Sequence, residues 1–237
     1  MYKRQIVCYS IAPWTNSVVY YDEATKTTVK KRLTPGSEEW TTIWTAFLND
    51  LADHLYEKGW FNDAYIGIDE RGFNKAAFDL IDSIKRGIPT PLKLKSAGAM
   101  DGFVEKKDLA MRVDDLNVGS IAVKAHPQQF EEIRQAREDA GLRTTIYTCT
   151  GHKPGNFSLS APGESYWTMM YSYSVGGEGY LRWAYDSWVE NPLEDTTHNA
   201  FEAGDCFLVF PDDSEAKVTK SSTRFEKMAE GVRDVNK

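Results

Sequence analysis

The sequence predicts an α/β fold built around a parallel β-sheet. Short apolar runs with the composition of buried strands alternate with amphipathic helical patterns in the middle of the chain, an order typical of right-handed βαβ units. The chain has 237 residues, which is close to the roughly 250 of an eight-stranded barrel of the (β/α)8, or TIM, type. We expect a single domain, residues 1–237, with one large core.

The first predicted elements are a strand, a hairpin and a long helix. Residues 6–12 form an apolar run, and segments 17–21 and 27–33 have the composition of a β-hairpin inserted in the loop that follows it. Ser37 is a suitable N-cap for the helix, whose apolar residues form one continuous stripe. We expect the two tryptophans on this stripe to pack against a sheet.

The next predicted strand, residues 64–68, stops at two consecutive carboxylates, Asp69 and Glu70. In parallel α/β folds the C-terminal ends of the strands carry catalytic side chains, so these acids are the first candidates for catalysis. An Asp between a strand and a helix can instead cap the helix. Asn74 is the better cap for the next helix, residues 75–86. Neighbouring strand residues point to opposite faces, so both acids can face one pocket only if Glu70 lies just past the strand.

The later elements continue the alternation of strand and helix. The patterns predict a weak strand at 91–96, a loop with a short helix at 100–116, a strand at 120–125, a helix at 128–140, strands at 143–149 and 180–185, an extended segment at 205–210 and a closing helix at 222–232. Together with the earlier runs, these patterns supply about six strands for the sheet, where a closed barrel needs eight.

Residues 157–188 are rich in aromatic side chains. They contain nine in 32 residues, where the chain average of 13% predicts about four: Phe157, Tyr166, Trp167, Tyr171, Tyr173, Tyr180, Trp183, Tyr185 and Trp188. Such enrichment suits a site that stacks sugar rings, although core packing explains about half of these residues. We expect Trp183 and Tyr185 on one face of the predicted strand and Trp188 in the loop after it.

Composition argues against several classes of function. The 28 basic and 35 acidic residues give a net charge of -7, which disfavours nucleic acid as a partner because such binding needs phosphate-neutralising cations. No apolar run approaches the length of about 20 residues that spans a membrane. Cys8, Cys149 and Cys206 are too few for a disulfide framework and are interpreted as small core residues. The glycines within 176–179 precede a strand, so they predict no phosphate loop, and no cofactor is expected.

Three runs near the C-terminus, GYLRWAYDSW, GDCFLVFPD and SSTRFEKMAEGVRD, resemble the catalytic region of glycoside hydrolase family 123 and its relatives, known as domain of unknown function 4091. The resemblance covers most of the chain. It implies a (β/α)8 barrel, preceded in the family by a β-sandwich domain, and an exo-acting β-N-acetylgalactosaminidase. The family's catalytic pair is an adjacent Asp-Glu at the end of a barrel strand, which matches Asp69 and Glu70.

The resemblance also implies a substrate-assisted mechanism, in which the acetamido group of the sugar is the nucleophile. Glu70 would protonate the leaving oxygen, helped by a pKa raised through partial burial, and Asp69 would accept the acetamido N–H. The expected partner is a glycan or glycoconjugate with a terminal N-acetylhexosamine. Further substrate contacts are expected from a tyrosine hydroxyl, from tryptophans that stack on the sugar and from one more acid, namely Trp14, Tyr147, Trp183, Tyr185, Trp188 and Asp205.

Other interpretations remain open at this point. Glu70 could act with a distant Glu164 or Asp186 in a conventional two-carboxylate glycosidase. The chain could also be an inactive carbohydrate-binding or structural remnant of such a barrel. A metal site of His126 and His152 with Asp69 is disfavoured, because the sequence has no HxH or HxxxH spacing. Arg224 also matches the family pattern, and we interpret it as the partner of a structural ion pair rather than as a substrate ligand.

The first predicted strand begins only five residues into the chain, without a preceding turn or cap. We therefore expect this chain to be a fragment that lacks the first strands of its barrel. An unclosed barrel leaves strand edges unpaired, so the isolated chain is expected to be poorly stable or to aggregate. The full-length protein is expected to be secreted or periplasmic, although no signal peptide is visible in this chain.

Overall fold

The structure is a computed structural model that describes residues 6–8, 10–13, 15–68, 70, 74–212 and 218–237. Two predicted site residues, Trp14 and Asp69, lie outside the described residues. The chain divides into two compact units, Met1–Leu116 and Asn117–Lys237. The expectation of a single domain stays a prediction.

The first unit contains parallel strands, two hairpins and two main helices. Its elements in chain order are β1 (Ile6–Cys8), β2 (Ser17–Asp22), β3 (Thr27–Arg32), α1 (Glu38–Glu57), a single 3₁₀ turn (Phe61–Asp63), β4 (Ala64–Ile68), α2 (Lys75–Ser83), β5 (Lys85–Arg86), β6 (Leu92–Lys93), β7 (Lys95–Ala99), α3 (Lys107–Ala110) and the start of β8 (Asp115–Gly119). Strand β4 pairs in parallel with β1 on one side and with β7 on the other. Strands β2 and β3 form an antiparallel hairpin, as do β5 and β6.

Strand β4 is tightly packed within the first unit. Ala64, Ile66 and Ile68 are buried, and they alternate with half-buried residues as the pleat of a strand requires. A Cβ on Gly67 would come within 2.9 Å of the Cys8 carbonyl oxygen on β1. Only glycine therefore fits this close approach of two backbones, and the end of β4 is held in place.

Helix α1 follows from its sequence. The Ser37 hydroxyl accepts a hydrogen bond from the backbone N–H of Trp40, as expected for an N-cap. Trp40 and Trp44 are buried, as expected for the two tryptophans of the apolar stripe. The indole Nε1 of Trp40 also donates to the carbonyl oxygen of Ile11 at 3.2 Å, so its polar edge is satisfied in the interior.

The second unit continues the α/β pattern. It contains the end of β8, then α4 (Ser120–Ala125), α5 (Pro127–Asp139), β9 (Arg143–Tyr147), α6 (Pro162–Ser174), β10 (Tyr180–Leu181) and α7 (Thr223–Val235). Strand β9 lies between β8 and β10 and is parallel to β10. None of the described helices is long and apolar enough to cross a lipid bilayer. The prediction of an α/β fold with parallel strands is confirmed.

Two predicted elements of the second unit are wrong in type or length. Residues 120–125 form helix α4 rather than a strand, and the strand is β8 just before it. Strand β8 was not predicted because its polar residues Asp115 and Asn117 interrupt the apolar run. Both residues are nevertheless buried, and Asn117 donates a hydrogen bond to Thr145 on β9. Strand β10 covers only two residues of the predicted 180–185, because the chain after it pairs instead with the segment near Phe207.

Candidate active site

The first candidate site is the turn that follows β4. Glu70 lies in this turn and is exposed. Asn74 caps helix α2, since its Oδ1 accepts a hydrogen bond from the N–H of Ala77 at 2.9 Å. The alternative in which the acids cap this helix therefore loses its main support, because Asn74 fills the capping position.

The exposure of Glu70 differs from the sequence-based expectation. The resemblance predicted partial burial, and the structure places Glu70 at the surface, two residues after Ile68, the last residue of β4. An exposed carboxyl at the C-terminal edge of a parallel strand is nevertheless accessible to a ligand.

An aromatic ladder, defined as Trp183, Phe201 and His198, lies on the surface of the second unit. The rings of Trp183 and Phe201 are 5.2 Å apart between centroids, and His198 stacks on Phe201 at 5.0 Å. Trp183 is 47% exposed. An exposed indole supported from one side by a second ring offers its other surface to a flat, apolar ligand face such as that of a sugar.

Two further predicted aromatic contacts are anchored but accessible. Tyr185 is 45% exposed, and its ring meets Phe225 on α7 edge to face at 5.8 Å. Trp188 is 39% exposed, and its Nε1 donates to the carbonyl oxygen of Val209 at 2.8 Å. One edge of each ring is therefore fixed while part of the side chain remains available to a ligand.

Tyr147 occupies a different environment from these exposed rings. It is the last residue of β9 and is buried, with the ring of His152 at 5.7 Å. The sequence left Tyr147 and Tyr185 as alternative donors to the acetamido oxygen. The exposure of Tyr185 favours Tyr185 for this contact.

Asp205 forms a buried ion pair instead of reaching the surface. Its Oδ1 accepts from Arg182 at 2.5 Å, and its Oδ2 accepts from the Thr150 hydroxyl at 3.2 Å. The Asp205 side chain has 0% exposure and that of Arg182 has 5%. In this structure Asp205 therefore positions Arg182, the residue directly before Trp183, and the expected contact between Asp205 and substrate stays a prediction.

Arg224 has a structural role, as expected, and the hydrogen bonds of its guanidinium go to backbone carbonyl oxygens where the sequence analysis expected an ion pair. Its guanidinium donates to the carbonyl oxygens of Asn156, Gly204 and Phe207 at 2.7–2.9 Å. Burial, with a smaller contribution from the positive charge of Arg182, lowers the pKa of Arg224 to about 10. The side chain therefore remains charged at neutral pH while it joins three segments of the second unit.

The alternative acid partners have other roles or surroundings. Glu164 accepts from the backbone N–H of Gly155 at 2.7 Å, and this bond, with the contact to Lys153, holds the pKa of the Glu164 carboxyl below its usual range. Asp186 is exposed and its backbone bridges to Phe207. Within the described part of the chain, no three His, Cys, Asp or Glu side chains are grouped as metal ligands would be.

Sequence reasoning missed three residues that organise this part of the molecule. Arg182 did not stand out because it lies in an aromatic-rich run, and its acidic partner is 23 positions away in the chain. Phe201 and His198 belong to a segment without helical or strand periodicity. The only available signal was the presence of an arginine within a predicted buried strand, since such a charge needs a buried partner.

Comparisons with known proteins identify a family and a similar solved structure. The whole chain, residues 1–237, matches the family model described as the catalytic domain of glycoside hydrolase 123. A solved family 123 glycoside hydrolase from Clostridium perfringens, studied for the hydrolysis of glycolipid glycans, is 41% identical, with a TM-score of 0.88. The match covers 98% of this chain and 40% of that one, so the present chain spans about 40% of that protein. The search of curated proteins found no match.

Proposed function

The chain belongs to glycoside hydrolase family 123, and on that premise we propose that it acts in the hydrolysis of a terminal β-linked N-acetylgalactosamine, with its strands forming part of a (β/α)8 barrel. The supporting observation is that Glu70 is exposed and lies two residues after Ile68, the last residue of the tightly packed strand β4. A rigid strand followed by an accessible carboxyl is the arrangement that acid–base catalysis at a sheet edge requires.

The proposed reaction needs two carboxyls and no protein nucleophile. The acetamido oxygen of the sugar attacks the anomeric carbon while Glu70 donates its proton to the leaving oxygen, and the glycosidic bond breaks. Asp69 accepts the acetamido N–H and stabilises the positive charge of the oxazolinium intermediate. Glu70 then removes a proton from water, whose oxygen attacks the anomeric carbon and releases the sugar with retained configuration.

The exposed rings of the second unit are proposed to bind the glycan. Trp183 and Trp188 would stack on apolar faces of sugar rings, and the Tyr185 hydroxyl would donate to the acetamido oxygen. The partly exposed surfaces of all three side chains support these roles. The glycolipid glycans named for the Clostridium perfringens relative are a reasonable first class of substrate to test.

The acid pair is tested by turnover of phenyl β-N-acetylgalactosaminide, whose leaving oxygen needs a proton, by Glu70→Gln and Asp69→Asn. Loss of a general acid is expected to lower turnover by about 10²–10⁴, and loss of the orienting acid by about 10²–10³. Glu57→Gln, an exposed glutamate at the end of α1, is the matched control and should keep wild-type turnover. Near-normal rates in either test variant would contradict the assignment.

An oxazoline-type inhibitor separates the substrate-assisted mechanism from a conventional two-carboxylate one. Only an enzyme that stabilises the oxazolinium intermediate should bind such a compound tightly. Weak binding, together with loss of activity in Glu164→Gln or Asp186→Asn, would favour the conventional mechanism.

The exposed aromatic ladder also favours a second candidate, a glycan-binding module without catalysis. Binding of N-acetylgalactosaminides that Trp183→Ala weakens, with no turnover of any aryl glycoside, would support this second function.

A further inference from the structure

A cysteine and a histidine face each other in the turn that follows β9. Cys149 Sγ lies 3.2 Å from His152 Nε2. The backbone N–H of His152 donates to the carbonyl oxygen of Cys149 at 2.9 Å, and Gly151 in this turn has a φ of +81°. The turn therefore fixes the thiol against the imidazole, within reach of proton transfer.

The environment of His152 determines which ring nitrogen faces the thiol. The Ser120 hydroxyl lies 3.4 Å from Nδ1 and donates its single proton to the Lys153 carbonyl oxygen at 3.3 Å. The serine oxygen can then only accept from Nδ1–H, which leaves Nε2 unprotonated toward the cysteine. His152 is buried, so this orientation is held by packing. The arrangement is that of a nucleophile, a base and a third group that orients the base.

The charged groups around the pair come from three segments. Lys124 on α4 donates to the same Lys153 carbonyl oxygen, and Lys153 itself pairs with Glu164. On the other side, Thr150 contacts Asp205, whose charge is compensated by Arg182. Each of these two carboxylates, Glu164 and Asp205, is therefore paired with a cation.

The other two cysteines provide a comparison within the same molecule. Burial raises the pKa of both Cys8 and Cys206, and the nearby Asp205 carboxylate raises that of Cys206 further. Cys206 is buried, whereas Cys149 is partly exposed. Cys149 thus combines access with a neighbouring base.

We propose that Cys149 and His152 form a nucleophilic thiol–imidazole pair, which makes Cys149 a site of covalent modification by small electrophiles such as low-molecular-weight disulfides. In the reaction with a disulfide, His152 Nε2 takes the thiol proton and the thiolate attacks one sulfur. The bond between the two disulfide sulfurs breaks, a mixed disulfide forms on Cys149, and the released thiolate recovers the proton from the imidazolium. The Cys149 sulfur is oxidised from thiol to disulfide, and the departing sulfur is reduced from disulfide to thiol, so no other oxidant is needed. The proton passes from Cys149 through His152 to the released thiolate.

Peptide-resolved mass spectrometry of the protein after timed treatment with iodoacetamide, from pH 5 to pH 10, tests this proposal. An ordinary thiol has a pKa of about 8.5, and one beside a protonated histidine about 7 or lower. At pH 7 the thiolate fraction would then rise about 15-fold, and the rate about threefold once its lower nucleophilicity is included. Cys149 should therefore react at least about threefold faster than an unstructured cysteine peptide, and faster than Cys8 and Cys206.

Two variants separate the role of the base from a general structural effect. His152→Gln should move the pH midpoint of Cys149 alkylation up to or above that of the free peptide, while His54→Gln on α1 leaves it unchanged. If His152→Gln prevents folding, Ser120→Ala takes its place in the test. Ser120→Ala keeps the imidazole and removes its orienting partner, so it should shift the pH midpoint in the same direction by a smaller amount. An ordinary midpoint for Cys149 in the wild-type protein, or one that neither variant moves, would overturn the proposal.

Discussion

The buried pair of Arg182 and Asp205 should contribute far more to stability than a surface pair of the same chemistry. The protein contains a matched comparison, because Arg86 Nε and Asp53 Oδ1 are also 2.5 Å apart. The difference is burial: the Asp53 side chain is 63% exposed, whereas that of Asp205 has no exposed surface. The two pairs therefore separate the effect of burial from the effect of contact distance.

Asp205→Ala leaves the Arg182 guanidinium in the interior without its counter-charge. Removing one partner of a buried ion pair costs about 3–5 kcal/mol, because the remaining charge cannot regain water. Asp53→Ala removes an exposed partner, for which about 0–1 kcal/mol is typical. With a urea m-value of about 2 kcal/mol/M, the unfolding midpoint should fall by about 1.5–2.5 M in the first variant and by at most about 0.5 M in the second.

Urea unfolding followed by both tryptophan fluorescence and far-ultraviolet circular dichroism measures these shifts. Agreement of the two signals is needed, since the free energy of unfolding is defined only for a cooperative transition. Equal losses in the two variants, or a loss below about 1 kcal/mol for Asp205→Ala, would refute the view that burial makes this pair important.

Three further predictions concern binding, packing and pH. Trp183→Ala should raise KM for an aryl glycoside about two- to twelvefold with little change in kcat, as expected for loss of about 0.5–1.5 kcal/mol of stacking; a change confined to kcat would contradict it. Gly231→Ala on α7 should destabilise the protein by about 1–3 kcal/mol, because the added Cβ would lie 2.8 Å from the Tyr166 carbonyl oxygen. Gly163→Ala on α6 should stabilise it slightly, because a Cβ there meets nothing within 4 Å. Thermal unfolding of both variants checks the difference. The lowered pKa of Glu164 stabilises the folded protein at pH values above the unfolded-state pKa of 4.5. This stability is lost as the pH falls through the folded-state pKa. Glu164→Gln should therefore be less stable than wild type at pH 7 and equally stable at pH values below the folded-state pKa.

Elements defined by local chemistry were predictable from the sequence. Ser37 with its apolar stripe defined α1, Asn74 defined the start of α2, and the apolar run before Asp69 defined β4. In each case a cap or a continuous run of apolar residues determines the structure locally.

Elements that depend on contacts between distant residues were not predictable in this way. The buried face of α6 is mostly small and polar, so no apolar stripe marked it. Strand β8 contains a buried Asp and a buried Asn, whose side chains need partners elsewhere in the chain.

The candidate site shows the same division between local and distant information. Asp69 and Glu70 stood out because they follow a strand. The ion pair of Arg182 with Asp205 required knowledge of which segments meet, and the burial of Asp205 in this pair could not be read from its position in a family-like motif.

The central claim, that Glu70 is the general acid of a glycosidase, is tested most directly by the dependence of kcat/KM on the leaving group. We predict that Glu70→Gln hydrolyses a dinitrophenyl β-N-acetylgalactosaminide almost as well as wild type, because this leaving group departs without protonation. The same variant should lose about 10²–10⁴ in kcat/KM on a phenyl or alkyl glycoside, whose leaving oxygen needs the proton. An equal loss on both substrates, or no loss on either, would contradict the account.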